Sequence, residues 1–363
     1  MTQDQHSVRT NQRSFRLLSR STPRIERWKA GFGRFVFLAI TGAIISVSSE
    51  RMFWYWSSNP LDHWVIALYY GAVAAAVLWV IQRFRVNSLS SLLLVAPIFA
   101  YMVEGIITPI LYTGGPFVPF FPAWFSFWHG FLGLVGLWYL LHLWLINGQT
   151  RRIAWASIAM GLFWGMWSIT MLLPGNFDDP ELIEDHGGPL EILAPMAFAR
   201  YAVSFSLILA GMHWLWGRLV KPVDFEPSVW SKRLYVVAVV TILVVWSVAI
   251  PWAAPMFAAY VAIQIWVLRR HAQGATGPGL FEQLSGRVRG RHLLALVPLP
   301  ATAAATYTLL WELDLSLGLI EAFMFTVIFA QSVIGLVVLV RHIRRTLKQN
   351  PKHQAEPEMG ARS

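Results

Sequence analysis

Ten stretches of this chain are apolar over about the 20 residues that a helix needs to cross a hydrocarbon core. They run over roughly 32–50, 64–82, 88–112, 123–146, 152–173, 194–217, 233–250, 252–268, 292–313 and 315–340. Short segments rich in Arg, Gly and Pro separate them. The pattern predicts an all-α fold, a polytopic transmembrane bundle of about ten helices. Residues 1–31 then form a basic arm, 32–340 the transmembrane domain and 341–363 a basic tail. Within the domain, 174–193 is the long outer loop and 269–291 the long cytoplasmic one.

The charges orient this bundle. Of 29 Lys and Arg, all but Arg34, Arg51 and Arg200 fall in segments that a ten-helix topology places on one side. Loops rich in Lys and Arg resist translocation, so both termini are expected in the cytoplasm. A multi-pass protein of a bacterial cytoplasmic (inner) membrane is the implied location. The basic stretch from Arg9 to Lys29 leads into an apolar run long enough to span, which argues against a cleavable signal peptide.

Composition agrees. The chain is 56% hydrophobic and 13% charged, with a mean hydropathy of +0.51. A soluble domain carries about a quarter charged residues. The net charge of +10 does not indicate nucleic acid, because the basic residues are spread in short segments beside apolar runs. There they meet anionic headgroups, so the lipid bilayer is the expected partner. Cysteine is absent, which removes disulfides, thiolate metal sites and Cys nucleophiles. Many of the Trp residues lie near expected helix ends, as in an aromatic belt at headgroup depth.

Ionisable residues inside spans are the best pointers to function, since each costs about 2.5–3.5 kcal/mol at mid-bilayer. At about 1.5 Å per residue, Glu104 lies roughly 12 Å below the outer end of the third helix and His129 roughly 9 Å below that of the fourth. Arg200 and Glu321 are at similar depths in the sixth and tenth. Glu104, His129, Arg200 and Glu321 are therefore the candidate site, in the outer third of the bilayer. Glu50 and Arg51 cap the first helix just above, and Asp62 and His63 sit at the mouth of the second. A buried carboxylate beside an imidazole suits general acid–base work, and Arg200 suits an anionic group. Structural pairing is the alternative for all four. No cofactor is specified. His63, His129, His186 and Glu104 are candidate metal ligands by type, suited to zinc, iron or manganese, but their spacing matches no motif. His142 and His213, at matching inner depth, suggest a single haem as a further alternative. His129 and His142 are thirteen apart, nearly opposite on an α-helix, which disfavours a two-haem stack.

Other segments carry both a bland and a functional reading. "GNFDDPELIEDHGGPLEILAP" is a solvated acidic loop or a lid that attracts cations. "YTGGPFVPFFPAWFSFWHG" is too broken by Gly and Pro for a continuous helix, and is an interfacial anchor or the wall of a groove. "HAQGATGPGLFEQLSGRVRG" lacks the GK[ST] of a phosphate loop and is expected to be a flexible connector with an amphipathic piece near Leu280–Leu284. "APIFAY" and "APMFAAY" hint at an inverted five-plus-five repeat. Small residues after Pro298 and Pro300 should let a neighbouring helix pack closely.

Two functions follow as expectations. One is a membrane-embedded enzyme or lipid-handling protein acting on a hydrophobic, lipid-linked or anionic small substrate. The other is a secondary transporter, with a haem-binding or structural subunit of a membrane complex third.

Overall fold

The computed structural model describes residues 24–52, 60–107, 109–112, 126–170, 194–220, 225–313 and 317–348. Among them there are twelve α-helices and no strand. In chain order α1 is Arg24–Ser46, α2 Pro60–Arg83, α3 Leu89–Met102, α4 Leu141–Ile146, α5 Thr150–Ile169 and α6 Pro195–Leu219. Then come α7 Val229–Ala249, α8 Ala253–Gly274, α9 Leu280–Gln283, α10 Gly290–Leu293, α11 Pro298–Glu312 and α12 Leu317–Lys348. Three segments are wound as π-helix: Val47–Arg51 ends α1, Val103–Ile107 ends α3 and Ser126–Leu140 precedes α4.

Seven helices among the described residues are long and apolar enough to cross a membrane, so this is an integral, multi-pass membrane protein. The sequence pattern implied about ten. The three not among the seven are α5, α8 and α12, all helical, as expected. Gly, Ser and Trp dilute the apolar run of α5, α8 continues into Arg269 and Arg270, and the described apolar stretch of α12 is Leu317–Ala330.

Local chemistry starts the helices. Ser88 caps α3, accepting from the Ser91 amide at 3.3 Å while Ser91 Oγ accepts from the Ser88 amide at 3.1 Å. Ser228 caps α7 through the Ser231 amide at 3.0 Å. Close backbone approaches then join the helices. α1 crosses α2 where a Cβ on Gly42 would lie 2.7 Å from the Gly71 Cα. α5 lies along α11 through Gly161 and Gly165, which face Thr302, Ala303 and Thr306. These are the small residues expected to admit a neighbour. α7 buries only Leu243, and its many exposed Val side chains belong against lipid.

At the end of the bundle that carries Arg85, Arg218, Arg287 and Arg289, the described connector after α8 is fixed by contacts. The connector after α8 is not a loose tether: Leu280 N–H donates to the Val86 carbonyl at 2.9 Å and Asn87 Nδ2 to that of Thr276 at 2.6 Å. Leu280, Leu284 and Val288 are buried. The physical reason is that three apolar side chains leave water together while the polar backbone around them stays hydrogen-bonded.

Candidate functional site

At the end opposite the basic one, the three π-helical segments meet. Each carries a polar side chain into the interior: Glu50 and Arg51 from Val47–Arg51, Glu104 from Val103–Ile107, and His129 from Ser126–Leu140. A π-turn inserts a residue into a helix and recurs at functional sites. It also frees carbonyls, which at membrane depth must find donors. Tyr112 Oη donates to the Gly105 carbonyl at 2.8 Å, Trp246 Nε1 to Ile106 at 3.0 Å and Tyr201 Oη to Arg51 at 2.8 Å. The distorted backbone is thus held from three other elements: the Pro109–Tyr112 turn, α7 and α6.

Glu104 Oε1 and His129 Nε2 are 2.5 Å apart, with both residues buried. The helices bearing them come close because Gly130 has no side chain, since a Cβ there would lie 2.7 Å from the Ala96 carbonyl oxygen. Beside the pair, Tyr70 Oη donates to Glu50 Oε2 at 2.8 Å. Glu50 lies within electrostatic reach of His129, Arg51 and Glu104. The formal charges are informative. Two carboxylates and one guanidinium sum to minus one, and a protonated His129 brings the group to zero. Among these four described groups, one proton separates a formal charge of minus one from zero, and a buried net charge is expensive. Nδ1 of His129 and the Tyr69 hydroxyl have no hydrogen-bond partner among the described residues.

The other expected residues lie elsewhere. Arg200 is exposed, not turned into the cluster. The buried residues of α6 are Phe198, Ala202, Phe205, Ser206, Leu209, His213 and Trp216. Arg200 falls two residues from both Phe198 and Ala202, about 200° round the helix from each. Glu321 is half-buried on α12, flanking the buried line of Ile320, Met324 and Ile328, and makes no ion pair among the described residues. His63 packs edge-on against Phe205, ring centres 5.2 Å apart. His186 and its acidic loop, and 113–125 of the Gly/Pro-rich segment, lie outside the described residues. No group of three metal-ligating side chains occurs among the described residues. The described part of that expected ligand set reduces to the Glu104–His129 pair.

Sequence reasoning placed Glu50 and Arg51 above the site and did not single out Tyr70 or Tyr201. A tyrosine in the apolar interior of a span was the available signal, since its hydroxyl needs a partner there.

His142 and His213 do meet, and their rings contact each other directly. Their Nδ1 atoms are 3.1 Å apart, and Trp216 stacks on His142 with ring centres 3.8 Å apart. Axial ligation of one haem by both would place the rings on opposite faces of the macrocycle, whereas here they are bonded to each other through Nδ1. Both His129 and His142 face the interior, contrary to the α-helical expectation. The reason is the π winding, which turns roughly 80–85° per residue instead of 100° over most of the interval.

No protein family matches this chain, and neither curated proteins nor solved structures give a match. Fold and site define the class: an integral membrane protein of helices with a buried polar cluster where three of them change their winding.

Proposed function

We propose that this protein is a membrane-embedded enzyme or lipid-handling protein whose Glu104–His129 pair moves a proton to or from a hydrophobic or lipid-linked substrate. The observation that carries the reading is the 2.5 Å carboxylate–imidazole contact inside the bundle. A carboxylate holding one ring nitrogen orients the imidazole and leaves Nδ1 as the working atom. Arg51 adds positive charge beside the pair, which suits a substrate bearing phosphate or carboxylate. Glu50 and Tyr70 supply a second proton-holding pair. The site lies between helices at membrane depth, so a substrate with an apolar body reaches it most directly from lipid.

In this reading both termini are cytoplasmic and the site faces the periplasmic half of a bacterial inner membrane. The absence of native cysteine makes the orientation simple to test. Single cysteines after Arg85, Arg152, Lys221, Arg287 and Arg345 should react with an impermeant thiol reagent only in broken cells. Cysteines after Pro60, Gly115, His186 and Asp314 should react in intact cells. Reversed labelling at two or more positions overturns the orientation.

A second reading, a proton-coupled secondary transporter, is favoured by the interruptions of regular winding at the polar cluster. Transporter sites are commonly built where helices are broken. Cells carrying His129→Gln in place of the native chain separate the two. The enzyme reading expects a lipid-soluble precursor to accumulate in their extracts. The transporter reading expects an unchanged lipid profile and loss of substrate-dependent proton uptake by proteoliposomes. If both remain as in the wild type, neither reading survives.

A further inference from the structure

We infer that the basic end of the bundle holds a second site, for a phosphate-bearing anion, built by Arg218, Arg287, Arg289 and Arg291 around a cavity of about 800 Å³. The chain segment before α10 sets the geometry. Residues 285–289 form no helix, and Arg289 is extended, with φ −88° and ψ 137°. Side chains alternate in an extended chain. Val288 is buried, and its amide nitrogen lies 2.7 Å from where a Cβ on Gly217 would be. Burying Val288 against Gly217 therefore turns Arg287 and Arg289 together to the other side, where both are exposed.

Arg218 joins them from α6. It follows Gly217 in the chain, and its guanidinium carbon sits 4.2 Å from the centre of the Trp214 ring, which restrains the side chain. The opposite wall is equally determined. His292 is buried and its Nδ1–H donates to the Leu145 carbonyl at 2.8 Å. Gly148 lies against that ring with φ +66°, a backbone conformation that favours glycine. Among the described residues no carboxylate lines the cavity, and none of the four arginines forms an ion pair.

Basic residues at this end serve membrane orientation whether or not they converge. Orientation does not require four of them, from α6, the 285–289 segment and α10, around one concavity with a fixed wall. Guanidinium groups bind phosphate oxygens through paired N–H donors, and the volume accommodates more than a bare ion. The phosphate can belong to an anionic lipid headgroup or to a soluble compound. This site is independent of the Glu104–His129 cluster at the far end.

The test uses the full chain in nanodiscs of zwitterionic lipid. Melting is followed on adding phosphatidylglycerol to the disc or inorganic pyrophosphate to the buffer. At least one should stabilise the wild type. A response to lipid alone assigns a headgroup, to pyrophosphate alone a soluble anion, and to both the shared phosphate. Arg287→Gln with Arg289→Gln should weaken that binding about tenfold or more, as loss of charge-assisted hydrogen bonds implies. Arg344→Gln with Arg345→Gln removes the same charge from the exposed end of α12 and should leave affinity within about twofold, as expected of screened surface charges. Arg218→Gln, on a separate element, should also weaken binding and serves if the double variant does not fold. No response to either compound, or an equal loss in the α12 variant, overturns the proposal. Glu104→Gln should leave binding intact, which keeps the outcome separate from that of the proposed function.

Discussion

Glu104→Gln is expected to lower activity by about 10²-fold or more while leaving the protein folded. The amide matches the carboxylate in shape and can still accept from His129 Nε2 through its oxygen. What it cannot do is share a proton with the imidazole or balance its charge. If His129 cycles between neutral and protonated forms, the charged form loses its counter-ion, and the step that needs it slows. Glu50 does not replace Glu104, because its carboxylate is already engaged by Tyr70 at 2.8 Å. A purely structural pair behaves differently. Removing one partner of a buried ion pair leaves an uncompensated charge and costs roughly 3–5 kcal/mol, which would appear as a lowered melting temperature in detergent. Melting and the cellular phenotype measured together separate the two. Normal phenotype with lowered melting makes Glu104 a structural residue and removes the basis of the proposed chemistry.

The membrane character of the fold was legible because it rests on composition and run length, which need no tertiary information. That Glu104 and His129 could meet was also legible, since consecutive helices joined by a short link tend to be neighbours. Arg200 was misplaced for a reason the sequence did contain. The apolar stripe through Phe198, Ala202, Phe205 and Leu209 puts position 200 on the opposite face, and depth alone was a poor guide to facing. The π winding was not legible. It changes the angle per residue over Ser126–Leu140 and so rotates His142 relative to His129, and no local residue signature announces it. Glu50 was read as a cap for the same reason, because its segment continues the helix with altered winding. The arginine cavity depended on which loop folds against which helix end, and that was set by the burial of Val288 against Gly217.

The other large effect is expected where α5 meets α11. A Cβ on Gly165 would lie 2.5 Å from the Ala303 carbonyl oxygen and 3.0 Å from the Tyr307 amide nitrogen. Both atoms belong to helical backbone, which cannot step aside without moving α11 as a whole. At Gly161 the nearest atom is Thr302 Oγ1 at 1.9 Å, followed by the Leu299 carbonyl oxygen at 2.5 Å. In a membrane such close contact supplies packing that lipid exclusion alone does not. Gly165→Leu should therefore force the helices apart and cost about 1–3 kcal/mol or more, the range for overpacked interiors. Tyr307 would move with α11, and its stacking on Phe198, ring centres 4.3 Å apart, carries the disturbance to α6. Gly161→Ala offers an internal check. Adding Thr302→Ala removes the hydroxyl but not the Leu299 carbonyl, so it should restore only part of the loss. Thermal melting in detergent reads both. Full rescue by Thr302→Ala, or an unchanged melting temperature for Gly165→Leu, would contradict the contact between α5 and α11.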